Sequence, residues 1–130
     1  ATIDTQDALI GNKAYDLASL IDDVRFKLDE RLKNRIYSYY LELNKKKIDK
    51  IILLNDFEIL SVLRNMKIIG IFERLAARDK KKIYLELIPH AWKLIELRTQ
   101  NNLIFDGLKR VLDINFSKKI RKLKWKLTLH

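Results

Sequence analysis

The chain has 130 residues and a net charge of +10, from 27 Lys and Arg against 17 Asp and Glu, with no Cys, three Gly and one Pro. This length supports one hydrophobic core, and the lack of cysteine excludes disulfides and thiolate zinc sites and favours a reducing, cytoplasmic compartment. The longest run without a charged residue is seven, Thr99 to Phe105, against the roughly 20 apolar residues of a membrane-spanning helix, so we expect no membrane span and no secretion signal.

The first ten residues, ATIDTQDALI, combine β-branched residues with an acidic pair and precede Gly11-Asn12. This pattern predicts a short strand that ends in a loop. No pairing partner for the strand is visible downstream, which indicates that the chain begins within a fold. The rest of the chain has Leu, Ile, Lys and Glu at helical spacing and is predicted to be mostly α.

Two helices are predicted next. The first has Asp22 and Asp23 on the side opposite its apolar face, which is formed by Ala14, Leu17, Ala18, Ile21 and Val24. The second has Asp29 as its N-cap and ends at 44–47. Its predicted apolar face consists of Leu28, Leu32, Ile36, Tyr39 and Leu43.

Residues 49–78 are apolar over a wide face and predict one long helix or two, with a break near Asn55-Asp56 or at Gly70. After a polar connection over 79–82, a fourth helix carries Pro89 in its first turn or at a kink. Asn101-Asn102 separates it from a short fifth helix, with apolar residues Ile104, Leu108, Val111 and Leu112.

The charge is unevenly distributed. Residues 1–23 carry five aspartates and one lysine, a net charge of −4, whereas the last fourteen residues carry six cations and no acid. A basic tail of this kind attracts nucleic acid or anionic lipid. Alternatively, the basicity is compositional, because Lys outnumbers Arg 18 to 9 and Ile outnumbers Val 17 to 3, as in an A- and T-rich coding sequence.

Few residues suggest chemistry. The 130 residues contain no glycine-rich phosphate loop. His90 is predicted to have a surface or packing role, because no acid or Ser lies at a triad or metal-pair spacing. The tyrosines at 37, 39 and 40 could stack on bases or sugars, although half-buried packing is the simpler interpretation. Asp4, at the end of the predicted strand, suits a hard cation such as Mg²⁺, with a solvated cap as the alternative.

Two stretches of sequence resemble the aminoglycoside phosphotransferase family. The first is Ile3-Asp4-x-Gln6-Asp7-Ala8 with Gly11 and AYDLASL over 14–20, followed by Asp23-x-Arg25. The second runs from Arg64 to Trp92 and includes RNMKIIGIFERLAARD and YLELIPHAW. More narrowly, both are similar to the bacterial branch that includes anomeric N-acetylmuramate and N-acetylglucosamine kinases. The resemblance covers most of residues 3–98.

The resemblance implies roles for four residues. Asp4 corresponds to the family's magnesium-binding aspartate, and Gln6 and Asp7 would lie near the sugar or around the metal. Asp16 corresponds to the acid of the Asp-Leu-Ala segment and would brace the catalytic loop. The helices after Leu28 would belong to a protein-kinase-like C-lobe and help to wall the acceptor site.

The chain also departs from the family's pattern. Thr5 replaces an aromatic residue, and Asp79-Lys80-Lys81 replaces Asp-Gly-Lys at a turn. The family's glycine loop, nucleotide lysine and His-x-Asp-x-x-x-x-Asn catalytic loop do not occur in these 130 residues, so this chain alone should not phosphorylate a substrate.

These features predict that residues 1–116 form the C-terminal part of a kinase-like domain, with a basic tail over 117–130. The complete protein would use ATP and Mg²⁺ to phosphorylate a hydroxyl of a sugar or aminoglycoside, such as a cell-wall amino sugar, with no membrane partner and no nucleic acid expected. The alternative is a non-enzymatic basic helical module that binds nucleic acid or an acidic partner.

Overall fold

The computed structural model describes residues 14–80, 82–100 and 102–122. These residues are mostly helical and contain no strand, which confirms the predicted mostly α fold; the assignment to a protein-kinase-like C-lobe stays a prediction. The predicted strand over residues 1–10 lies outside the described residues. The helices are α1 (14–21), α2 (Glu30–Leu43), α3 (Lys50–Asp79), α4 (Lys82–Thr99), α5 (Asp106–Asn115) and α6 (Lys118–Lys122), with a 3₁₀ turn at Leu103–Phe105.

The chain divides into two compact units, Ala1–Ser61 and Val62–His130. In the first unit the core consists of one face of α1 packed against Phe57 of α3, with α2 residues against it; its members are Leu17, Ala18, Ile21, Phe57, Ile36, Tyr37 and Tyr40. The rings of Tyr37 and Phe57 meet edge to face at 5.3 Å. All five residues of the predicted apolar face of α1 are buried, as expected.

Helix α2 begins where predicted, because the Asp29 carboxylate accepts a hydrogen bond of 2.7 Å from the backbone N–H of Leu32. Its predicted apolar face is only partly correct. Ile36 packs against the core as predicted, whereas Leu32, Tyr39 and Leu43 are exposed. Lys33, Tyr37 and Tyr40 complete the inward side, because Lys33 has a buried partner and Tyr37 packs on Phe57.

Helix α3 is one continuous helix, which confirms the first of the two predicted alternatives; it has no break near Asn55-Asp56 or at Gly70. Asp49 caps it by accepting a hydrogen bond of 2.8 Å from the backbone N–H of Ile51. Gly70 is exposed, and a Cβ atom there would meet nothing within 4 Å. Close packing therefore does not require a glycine at this position. The helix ends at Asp79, and Lys80 follows in the left-handed region with φ of 55°.

The second unit contains a buried face of α4 and the elements that follow it. Pro89 is the eighth residue of α4 and lies inside the helix, so it does not mark the first turn. Asn102 caps the 3₁₀ turn by accepting a hydrogen bond from the N–H of Ile104. In this region Phe105 and Leu112 are buried, whereas the predicted apolar residues Ile104 and Val111 are exposed.

Among the described residues, no helix combines the length and the apolar character that crossing a membrane requires.

Candidate functional site

The three residues predicted to bind metal or substrate, Asp4, Gln6 and Asp7, lie outside the described residues. Their roles stay predictions. Within the described ranges, no group of three or more His, Asp or Glu side chains is arranged to hold a metal ion. The described residues that follow the predicted site begin at Ala14, in α1.

Asp16 lies on the exposed side of α1. Burial raises the pKa of the Tyr40 hydroxyl on α2, and the negative charge of Asp16 raises that pKa further. Both effects disfavour the tyrosinate anion. The predicted role of Asp16 as a brace for a catalytic loop stays a prediction, because that loop is not among the 130 residues.

Asp22 and Asp23 were expected on the polar side of the first helix, and this prediction is wrong. Asp22 is 1% exposed and Asp23 is 8% exposed. Helix α1 ends at residue 21, so both acids belong to the segment that leaves the helix and turns inward. The helical spacing that predicts an outward position does not apply beyond the end of the helix.

The Asp22 carboxylate is the centre of a buried polar cluster. Its Oδ1 atom accepts a hydrogen bond of 3.1 Å from the ammonium group of Lys33 on α2. Its Oδ2 atom accepts one of 2.5 Å from the hydroxyl of Ser61 on α3. A buried charge is tolerated only when it is paired and hydrogen-bonded, and Asp22 meets both conditions. The cluster therefore joins the end of α1 to α2 and α3.

Asp23 organises the next two residues. Its carboxylate accepts hydrogen bonds from the backbone N–H of Arg25 at 2.8 Å and from Nε and Nη2 of the same residue at 3.1 and 3.0 Å. The hydrogen bond and the charge of Asp23 both raise the pKa of Arg25. The guanidinium also lies 5.7 Å from the centre of the Phe26 ring. This local arrangement fixes the turn between α1 and α2.

Sequence reasoning missed Lys33 and Ser61. A signal for both was present, since Lys33 shares helical spacing with Ile36, Tyr37 and Tyr40, and Ser61 lies between apolar residues of α3. A polar residue on a buried face requires a partner. The prediction that the tyrosines pack is confirmed for Tyr37 and Tyr40, which are half-buried, whereas Tyr39 is exposed.

A second polar centre lies within the second unit. Arg121 of α6 is 6% exposed and donates hydrogen bonds from Nη1 to Glu96 at 3.0 Å and from Nη2 to Asp113 at 2.9 Å. Its guanidinium lies 4.9 Å from the centre of the Trp92 ring, and the Trp92 and Phe116 rings are 5.0 Å apart. Part of the sequence predicted as a basic tail is therefore a helix with a buried arginine.

A cleft of about 490 Å³ adjoins this centre. Its lining includes Arg121 and the two carboxylates that it binds, Glu96 and Asp113. It also includes four lysines, Lys93, Lys109, Lys118 and Lys122. His90, on the same helix as Lys93, is half-buried, as predicted for a surface or packing role.

The comparisons with known proteins give one significant similarity. No protein-family model matches the chain. No solved structure matches it. Over 95 residues, 73% of the chain, it is 30% identical to the N-acetylmuramate/N-acetylglucosamine kinase of Caulobacter vibrioides. The chain spans 26% of the length of that protein. The similarity supports the kinase-like relationship predicted from the sequence; membership of the aminoglycoside phosphotransferase family stays a prediction.

Proposed function

We propose that this chain is the C-terminal segment of an ATP-dependent small-molecule kinase that transfers the γ-phosphoryl group to a hydroxyl of an amino sugar of the cell wall. The observation that carries the proposal is the 30% identity over 95 residues to an N-acetylmuramate/N-acetylglucosamine kinase. The two sequence blocks, around Asp4 and from Arg64 to Trp92, support it because they occur in the order expected of that branch.

In this proposal Asp4 holds Mg²⁺ against the nucleotide phosphates, and Gln6 and Asp7 lie near the sugar or around the metal. A carboxylate suits this position because Mg²⁺ prefers oxygen ligands. The bound metal supplies charge neutralisation during phosphoryl transfer. ATP and Mg²⁺ are thus the proposed cofactors, and a small sugar is the proposed partner.

The buried polar cluster has a structural role in this proposal. A metal-binding carboxylate must be held by structure that does not yield, and rigid neighbouring elements provide that support. Helix α1 follows the Asp4 segment along the chain, and the contacts of Asp22 with Lys33 and Ser61 tie its end to two other helices. We propose that the cluster holds the end of α1 in place, that α1 in turn supports the metal-binding segment, and that the cluster takes no part in the chemistry.

The first test is the coding sequence upstream of Ala1. The proposal requires that it encode a glycine-rich loop, a nucleotide-binding lysine and a His-x-Asp-x-x-x-x-Asn motif in the same reading frame. An unrelated upstream sequence, or a start codon immediately before Ala1, would overturn the proposal.

The second test is phosphoryl transfer by the complete protein, measured with radiolabelled ATP and N-acetylglucosamine, N-acetylmuramate or an aminoglycoside as acceptor. The Asp4→Asn variant should lower turnover by about 100-fold or more, because the metal contributes several kcal/mol of charge stabilisation. The matched control is Asp106→Asn, an exposed aspartate of α5, which should retain full turnover. Equal turnover in both variants would contradict the role of Asp4, and transfer only to an aminoglycoside would overturn the amino-sugar assignment.

A further inference from the structure

The cleft beside Arg121 has an excess of positive charge at its surface. We define the lysine cleft by Lys93 on α4, Lys109 on α5, and Lys118 and Lys122 on α6, all exposed and all lining the same space of about 490 Å³. Its two carboxylates, Glu96 and Asp113, are already bound by the guanidinium of Arg121. None of the four lysines forms an ion pair with a described residue. The cleft therefore presents four cationic donors.

The base of the lysine cleft is built from buried and half-buried groups. Pro89, Ile95 and Leu112 contribute an apolar floor, and Trp92, 4% exposed, lies beneath the guanidinium of Arg121. The cleft therefore has a largely apolar base beneath its four lysines.

We propose that the lysine cleft binds a small organic phosphate. Lysine binds phosphate as a point charge. Several lysines around one space therefore attract a doubly charged phosphate more strongly than they attract a singly charged carboxylate ligand. The apolar floor favours a ligand whose phosphate is attached to a hydrophobic or ring-shaped body. This site includes none of the residues predicted to bind metal or substrate, Asp4, Gln6 and Asp7, and does not depend on the kinase proposal.

The proposal is tested by isothermal titration calorimetry of the full chain with phenyl phosphate at about 10 mM salt, where charge interactions act over about 30 Å. Phenyl phosphate should bind more tightly than inorganic phosphate, because its ring contacts the floor, and more tightly than phenol, which lacks the charge. No measurable binding of phenyl phosphate, or equal binding of phenol, would overturn the proposal.

A matched pair of variants separates this site from general attraction by a basic protein. The cleft variant changes Lys93, Lys109, Lys118 and Lys122 to Gln. The control variant changes four exposed lysines of the first unit, Lys27, Lys46, Lys47 and Lys50, to Gln and has the same net charge. The cleft variant should bind phenyl phosphate at least about tenfold more weakly, because it removes four exposed charge contacts. The control should change affinity less than about twofold. Equal weakening in both variants would show non-specific attraction and overturn the site.

Because eight substitutions are distributed over two variants, folding is checked by circular dichroism and thermal unfolding of each. The single variants Lys109→Gln and Lys118→Gln keep the test decisive if the cleft variant unfolds. Each should weaken phenyl phosphate binding about two- to threefold, as expected for one exposed charge contact, and unchanged affinity in both would contradict the proposal. The indole N–H signal of Trp92, assigned by comparison with Trp125→Phe, should shift on titration of the unsubstituted chain; a fixed signal would place any binding elsewhere.

Discussion

The ammonium group of Lys33 lies 3.1 Å from the Asp22 carboxylate, and both side chains are almost fully buried, with 6% and 0% of their surfaces exposed. Removing one member of such a pair leaves the other charged and buried, which is more costly than the net contribution of the pair itself. This ion pair therefore predicts that replacing one partner lowers the free energy of unfolding strongly, and that replacing both partners lowers it less.

The Lys33→Met substitution should lower the free energy of unfolding by about 3–5 kcal/mol, because it removes the ammonium group paired with the buried Asp22 carboxylate. Urea denaturation monitored by circular dichroism measures this change. The matched control is Lys45→Met, which breaks the exposed pair with Glu42 and should cost about 0.5 kcal/mol or less. The double variant Asp22→Leu/Lys33→Met should regain much of the lost stability. Equal effects of Lys33→Met and Lys45→Met would contradict the buried cluster.

The sequence predicted helices α1 to α5 and the apolar face of α1, because these depend on local spacing and on capping residues such as Asp29. It did not predict α6, which lies in the segment interpreted as a basic tail. It predicted only part of the buried side of α2. Apolar residues occur on several sides of that helix, so the choice is made by the partner of Lys33, which is 11 residues away in sequence. Ser61 is 39 residues from Asp22, and a contact at that separation has no local signature. The predicted metal and substrate residues, Asp4, Gln6 and Asp7, stay predictions, because they lie outside the described residues.

The raised pKa of Tyr40 predicts that the chain loses stability at alkaline pH. Burial and then the charge of Asp16 raise the pKa of Tyr40 in the folded chain above its value in the unfolded chain. Between these two values the folded chain binds more protons, so the free energy of unfolding falls as pH rises. The Tyr40 contribution is therefore fully present below the ordinary tyrosine pKa of about 10 and is lost as pH rises through the raised value.

The Tyr40→Phe variant isolates this contribution from other titrating groups. Its stability should decline less between about pH 9 and pH 11 than that of the unsubstituted chain, as measured by urea denaturation at each pH. The Tyr39→Phe variant is the control, because Tyr39 is 68% exposed. Identical pH dependence in all three proteins would show that Tyr40 titrates normally.

The backbone conformation of Lys80 predicts that a substitution at this position stabilises the chain. Its φ angle of 55° lies in the left-handed region directly after α3, a conformation that glycine adopts without the steric penalty of a Cβ atom. Lys80→Gly should raise the free energy of unfolding by up to about 1 kcal/mol, measured by urea denaturation. The same change at Lys67, an exposed position inside α3, should lower it by about 1 kcal/mol. A loss of stability at both positions would contradict the left-handed conformation.

The contacts of Arg121 predict that this one side chain holds α6 in place. Its guanidinium binds Glu96 of α4 and Asp113 of α5 and covers Trp92, so it connects three helices of the second unit. The Arg121→Met variant keeps a long apolar stem but leaves both carboxylates without this partner. It should lower the free energy of unfolding by about 2 kcal/mol, because hydrogen bonds to charged groups contribute more than neutral ones. Arg121→Lys should be destabilised as well, since an ammonium group cannot reproduce the two-pronged geometry of a guanidinium.

Amide hydrogen exchange distinguishes a local effect on α6 from general destabilisation. In Arg121→Met, exchange of the α6 amides should accelerate relative to the unsubstituted chain by a larger factor than exchange of the α4 amides, because α6 has only five residues and depends on its tertiary contacts for helical structure. The control is Arg110→Met on α5, an exposed position where the change should remain within about 0.5 kcal/mol. If Arg110→Met and Arg121→Met have the same stability and the same amide exchange, the ion pairs of Arg121 do not hold α6 in place. Lys118 and Lys122, which belong to α6, would then not be fixed beside the lysine cleft.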